Sequence, residues 1–314
     1  FGPAAPSGSG ATQSEAVMKI SVVIPHLNQP EQLARCLGSL QVNTRPADEI
    51  LVVDNGSKVL PTDVCSSFSN VQVLSEQIPG PGPARNQGVA KSTGDILAFI
   101  DADCVADPNW LRVAEKEMSD PKTSILGGEV LIACDDPVKF TSIEAYESIY
   151  GFRMRRYVEK QGYAATLNMV VSKEVFGQVG EFKGLEVAED HDWGRRATAL
   201  GFKIKFVPDM IVCHPARSNF NELKKKWERH IAHDFQVAKT SAFRKARFLG
   251  KSLLLLLSPI VEIPKIATTQ RITGIGNRFR AFFTLCRIRY YRAKLMLSLV
   301  AGWKEEDLFS AWNR

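Results

Sequence analysis

The 314-residue chain has only six cysteines, at positions 36, 65, 104, 134, 213 and 286, and none forms a C-x-x-C pair. That scatter argues against a structural zinc site and against a dense disulfide framework, and it fits a reducing, cytoplasmic setting. Long apolar runs are lacking in the Leu-rich region too. Between Lys251 and Glu262 lie ten uncharged residues, whereas a helix needs about 20 to cross a bilayer. Residues 1–17 have no apolar core of the signal-peptide type. Rich in Gly, Ala, Ser and Pro and followed by Met18, they are expected to be a disordered leader or an expression remnant outside the fold. No recognisable nucleic-acid motif accompanies the basic charge, so nucleic acid is not an expected partner.

What is present is an ordinary globular composition, 45% hydrophobic and 24% charged, with enough chain for one large or two moderate domains. The net charge of +6 conceals an asymmetry. Residues 217–302 carry 18 Lys and Arg against four acids, or +14, and leave −8 elsewhere. Two different surfaces are being made.

From Met18 to Phe99, short β-branched runs alternate with helix-like stretches: Ile20 to Ile24, Pro30 to Leu40, Glu49 to Val53, Val71 to Leu74, Pro83 to Ser92 and Ile96 to Ile100. This βα alternation predicts an α/β fold with a mostly parallel, Rossmann-like sheet flanked by helices. In such sheets ligands sit at the carboxyl ends of strands. Three polar signals fall at such ends: Pro25 to Asn28, Asp54-Asn55-Gly56-Ser57 and Asp101-Ala102-Asp103. If the last pair continues the extended strand, Asp101 and Asp103 point the same way and can hold a divalent cation. As a bare pair, D-x-D is also a common strand-end turn. Arg85 and Asn86 open the helix before that strand, where a guanidinium can grip ribose or phosphate bidentately. Further on, Trp110 to Glu117 reads as a helix and Ser124 to Ala133 as a strand. Asn168 to Val171 leads into a helix from Lys173 to Val179. Glu189-Asp190-His191-Asp192-Trp193 opens another, stopped at Gly201 before a strand from Lys203 to Val207.

Taken in order, the segments ISVVIPHLN, LVVDNGS, GPARNQGVAKSTGDILAFIDAD, NMVVSKEVF and EDHDWGRRATALG resemble the family 2 glycosyltransferases, inverting nucleotide-sugar enzymes with the GT-A fold. The resemblance runs from Ile20 to His214. It implies a donor site including Pro25, Asn28, Asp54, Asn55, Arg85, Asn86, Asp101, Ala102 and Asp103, with Asp54 on the nucleoside. It implies Mg²⁺ or Mn²⁺ on Asp103, with Asp101 contacting ribose, metal or both. His214 stands where related enzymes supply a third ligand; a packed histidine is the other reading. Asp190 matches the position of the base that takes the acceptor's proton. Glu189, Asp192, Trp193 and Asn168 fall near the acceptor or donor sugar. Two residues depart from the pattern: His26 stands where Tyr or Thr is frequent, and Trp193 replaces a Leu. Trp193 either stacks on a sugar or packs in the core.

Beyond Asn221, Leu223, Trp227, Ile231 and Phe235 recur at helical spacing, with Lys224, Lys225, Lys226 and Arg229 around them. Phe279, Phe282, Phe283, Cys286 and Tyr290 share another face. These helices are expected either to lie on an anionic membrane surface or to cap the catalytic domain with their basic faces in water. The expected organisation is a catalytic domain over 18–217 and a basic helical extension over 218–314. The expected partners are a nucleoside-diphosphate sugar and a lipid-linked or polysaccharide acceptor, at the inner face of the membrane. A nucleotidyltransferase and a noncatalytic membrane scaffold of the same fold are the rival readings.

Overall fold

The computed structural model describes residues 18–134, 136, 138–185 and 187–302; the expected leader lies outside them. Eight strands form one sheet: β1 (Ile20–His26), β2 (Glu49–Asp54), β3 (Val71–Ser75), β4 (Ile96–Phe99), β5 (Val105–Ala106), β6 (Ile125–Ala133), β7 (Met169–Ser172) and β8 (Ile204–Pro215). Their order is β3-β2-β1-β4-β7-β6-β8-β5. The β3-β2-β1-β4 half is parallel, as is β6 with β8. The other pairings, β4/β7, β6/β7 and β5/β8, are antiparallel. The sheet is therefore parallel for the most part and reversed at β7.

Helices α1 (Pro30–Gln41), α2 (Thr62–Cys65), α3 (Pro81–Lys91), α4 (Trp110–Met118), α5 (Ser142–Tyr150), α6 (Met154–Arg156), α7 (Lys173–Val179) and α8 (Glu189–Ala199) accompany it. Period-2 alternation supplies both faces of the strands. Ile20, Val22, Ile24, Ile50, Val52, Ile96 and Ala98 pack with Leu37 of α1 and Trp110 of α4. Val23, Leu51, Leu97 and Phe99 pack with Val89 of α3, Phe176 of α7 and Trp193 of α8. Burial on both faces explains why these strands read as unbroken apolar runs. Helix α3 lies close on β1 because Gly88 has no side chain; a Cβ there would run into Val23.

The strand expected to end at Val207 continues to Pro215, with a register shift opposite Gly128 and Glu129 of β6. Helices α9 (Phe220–Ala238), α10 (Ala242–Val261), α11 (Ile263–Thr268) and α12 (Ile275–Val300) follow. Helices α9, α11 and α12 share one core with α5, in which Tyr146 and Tyr150 meet Leu223, Ile266, Leu285 and Ile288, and α10 packs through Phe248 into a second core with Ile231, Phe235 and Leu299. The apolar stripe of α9 is turned inward, with Leu223, Ile231 and Phe235 buried. Helices α10 and α12 keep apolar residues in the open: Leu254, Leu257, Ile260 and Val261 on one, Ile275, Phe279, Phe283 and Tyr290 on the other. Among the described residues no helix is long and apolar enough to cross a membrane.

Candidate active site

Three loops leave the carboxyl ends of β1, β2 and β4 side by side. Asp54, the last residue of β2, is 1% exposed. Its carboxylate meets His26 Nδ1 at 2.9 Å and accepts from the Ser57 amide at 3.0 Å. Burial works against ionisation there, but the Ser57 and His26 hydrogen bonds outweigh it and hold Asp54 below the usual carboxylate range. His26 thus takes up a role the sequence did not assign. Pro25 is the half-buried residue before it in β1. Asn28 adopts a left-handed conformation, φ 53°, which Asn tolerates better than most residues. It joins the first two loops, accepting from the Lys58 amide at 2.9 Å and donating its own amide to Ser57 Oγ at 2.8 Å.

The D-x-D segment departs from expectation in geometry. Strand β4 stops at Phe99, and Asp101 to Cys104 form a turn closed by a 3.0 Å bond from the Cys104 amide to the Asp101 carbonyl. The strand alternation that was to align the two carboxylates therefore does not apply, and they take different partners. Asp101 accepts from Arg85 Nη2 at 2.6 Å, and Asp103 Oδ2 lies 3.6 Å from His214 Nε2. Ala102 between them is buried. Burial and the Asp101 charge raise the Asp103 carboxyl, against the pull of His214.

His214 reaches Asp103 because β5 pairs with β8, setting Val105 opposite Cys213. Its Nδ1 sits 2.6 Å from the Pro215 carbonyl. A carbonyl only accepts, so Nδ1 carries a proton, and Nε2 is the ring atom turned toward Asp103. The Phe152 ring packs 5.0 Å from the imidazole.

Arg85 joins this side of the crevice to the next. It is almost fully buried, and its Nη1 donates to Glu189 at 2.9 Å while Nη2 holds Asp101. Asp190, beside Glu189 in the first turn of α8, accepts from the His191 amide at 2.7 Å. Burial first, then the Glu189 charge, pushes the Asp190 carboxyl up to about 6. It ionises near neutral pH, as a general base requires. Tyr157 and Tyr163, stacked at 5.1 Å, stand close enough for its charge to raise both phenols further after burial has done so.

Five other side chains singled out from the sequence are committed elsewhere. Asn55 donates to the carbonyls of Glu76 and Ile78 and accepts from the Gly80 amide, bracing the loop before α3. Asn86 grips both backbone atoms of Phe182, at 2.8 and 2.9 Å. Asn168 is fully buried, accepting from the Trp110 indole at 2.8 Å and donating to the carbonyls of Glu129 and Met210. Trp193 is also fully buried, its indole donating to the Gly180 carbonyl at 2.8 Å. Neither Asn168 nor Trp193 presents a face to a sugar; the packing reading of Trp193 is the one that stands. Asp192 is paired with Lys183 and Arg196, both at 2.9 Å, which hold it below the usual range despite burial.

A mostly parallel sheet carrying these carboxylates at its carboxyl edge defines an enzyme of the GT-A glycosyltransferase class. Residues 21–180 match the model of glycosyl transferase family 2, and the chain belongs to that family. It is 34% identical over 264 residues to the glycosyltransferase AglE of Haloferax volcanii, covering 81% of this chain and 86% of that protein. It is 25% identical to the pre-mycofactocin glycosyltransferase of Mycobacterium tuberculosis, over 65% of this chain and 44% of that one. Among solved structures, the mannosyltransferase PcManGT of Pyrobaculum calidifontis, in complex with GDP-Man and Mn²⁺, superposes with a TM-score of 0.54. That match covers 95% of this chain and 80% of that one at 12% identity.

Proposed function

We propose that the chain is a metal-dependent, inverting glycosyltransferase. It moves a sugar from a nucleoside-diphosphate donor to a hydroxyl of a lipid-linked or polysaccharide acceptor, at the cytoplasmic membrane face. The observation that carries this reading is Arg85. One buried guanidinium ties Asp101, on the D-x-D side, to Glu189, next to Asp190, so the leaving-group and acceptor sides lie one side chain apart.

A donor set of the Asp103 carboxylate and His214 Nε2 fits a divalent cation such as Mn²⁺, and the mannosyltransferase of similar fold is in complex with Mn²⁺. Among the described residues no cluster of three or more acidic, His or Cys side chains is assembled, so these two would hold the ion. When bound, it supplies charge neutralisation to the departing diphosphate. The chain's own groups do the rest. Asp54 orients the nucleoside, Arg85 fixes Asp101 and Glu189, and Asp190 takes the acceptor's proton from the face opposite the leaving group. Residues 18–217 make up the catalytic domain, and residues 218–314 a basic, membrane-associating extension.

The test is a panel of nucleotide sugars assayed with Mn²⁺ or Mg²⁺ for release of nucleoside diphosphate, a product that separates transfer from the pyrophosphate of a nucleotidyltransferase. EDTA should abolish release. Asp190→Asn should lower turnover by about a thousandfold or more while donor affinity stays within about threefold; unchanged turnover would refute Asp190 as the base.

A further inference from the structure

The segment between α6 and β7 carries an aromatic pair to which the transfer described above gives no task. Tyr157–Gln161 wind as a single π-helical turn, a form that recurs at functional sites. Gly162 closes it in a left-handed conformation, φ 70°, which glycine adopts without steric cost. The chain then doubles back, so that the Tyr163 amide donates to the Tyr157 carbonyl at 3.2 Å and the two rings stack at 5.1 Å, 16° from parallel. Two glycines make room for this return. A Cβ on Gly127 of β6 would run into Val158 and Ala164, and one on Gly194 of α8 would run into Tyr163 itself.

Helix α8 decides what stands beside the pair. Asp190 and Gly194 are four residues apart in that helix and lie on one face of it, so the face on which Tyr163 rests is the face that carries Asp190. One residue on, the His191 imidazole meets the Tyr163 ring at 5.0 Å in a T-shaped contact, and the His191 amide donates to the Asp190 carboxylate at 2.7 Å. The two hydroxyls of the pair differ. That of Tyr157 has the Arg153 backbone as a hydrogen-bond partner. Among the described residues the Tyr163 hydroxyl has no partner, and it is not buried. Burial of the ring, then the neighbouring Tyr157 and the Asp190 charge, keep this phenol protonated, and a protonated phenol both donates and accepts. A hydroxyl open on the same helix face as the base, yet not bonded to it, leaves a place for a molecule that brings hydroxyls of its own.

We propose that Tyr163 binds the acceptor: its hydroxyl holds the neighbour of the hydroxyl that Asp190 deprotonates. The acceptor end is thereby a sugar ring with adjacent hydroxyl groups, not a phosphate or an isolated alcohol. This rests on Asp190 as the base of the transfer proposed above and names the chemical class that meets it.

The experiment follows nucleoside-diphosphate release by the full chain from the nucleotide sugar it turns over. Water is first the only acceptor, and then methyl α-glucoside, methyl α-mannoside, methyl α-galactoside or 1-propanol is added. At least one glycoside is expected to speed release above the water background, and propanol is not. Tyr163→Phe keeps the stacked ring and removes only the hydroxyl. It should raise KM for that glycoside by about tenfold, the worth of one hydrogen bond, with kcat within about threefold and the water background within about twofold. Tyr157→Phe should leave KM within about twofold, because its hydroxyl is committed to the backbone. An unmoved KM in Tyr163→Phe overturns the proposal, as does an equal rise in Tyr157→Phe, which would reflect packing of the pair. A water background that falls as far as transfer does also overturns it, since the hydroxyl would then serve the donor or the base. Propanol as effective as the glycosides, or no response to any glycoside, overturns the sugar assignment. No release from any nucleotide sugar refutes the transferase reading itself, so the two failures are distinguishable.

Discussion

Arg85 is the residue on which most of the crevice depends. Buried itself and holding two partly exposed carboxylates, it leaves both unpaired if removed, at a cost of about 2 kcal/mol once solvent screening is allowed for. Arg85 is also one of the charges that hold Asp190 down, while Glu189 pushes it up. Arg85→Met should therefore raise Asp190 above its value of about 6 and move the acidic limb of kcat/KM to higher pH. An unmoved limb would separate Arg85 from Asp190.

Asp190 has a signature in stability as well. Its carboxyl is raised in the folded chain from 3.8 to about 6, so ionising it costs folding free energy above that range and nothing below about pH 4. Asp190→Asn should thus be the more stable protein at neutral pH, by on the order of 1 kcal/mol after allowance for solvent. The gain should vanish in acid unfolding curves below about pH 4.

At this scale the carboxylates were legible because each follows an apolar run that had to be a buried strand or a helix start. The amides were not. Asn55, Asn86 and Asn168 look in sequence like ligand contacts, yet each spends its side chain on backbone or indole groups. A polar letter at a strand end is the same whether it faces a ligand or a neighbouring loop.

Among the elements, β5 is the smallest and has the largest effect on the site. Two residues paired with β8 bring His214 to Asp103. No two-residue strand announces itself by periodicity, so the sequence left His214 open between ligand and packed residue. The reversal at β7 was equally hidden, since side-chain alternation is the same in both strand directions.

Asn168, just before β7, ties α4, β6 and β8 through three hydrogen bonds. Gly128 of β6 exists for that purpose, because a Cβ there would collide with the Asn168 amide. Asn168→Ala would orphan an indole N–H and two carbonyls, and should destabilise the chain by about 3 kcal/mol in denaturant titration. A loss below about 0.5 kcal/mol would mean that water replaces the amide.

For the whole molecule, the +14 of residues 217–302 against −8 elsewhere was plain in the sequence; which apolar faces remain open was not. Both α9 and α12 carry apolar stripes, and only tertiary packing turns the first inward. The surviving open residues on α10 and α12 make the membrane reading testable. The full chain should bind vesicles rich in anionic lipid at low salt, weakening roughly tenfold or more toward 0.5 M salt. Leu254→Glu with Phe283→Glu should reduce that binding, whereas equal binding by this variant would place the contact elsewhere.

The Asp103–His214 contact has a mechanical consequence for the chain that carries it. The two residues are more than a hundred positions apart, with β6 and β7 in the chain between them, and the pairing of β5 with β8 brings them together. Whatever bridges them closes a long loop of polypeptide around those strands. If the proposed cation binds there, it would also cross-link the turn after β4 to the end of β8, so the metal should raise the chain's resistance to denaturant as well as supporting transfer.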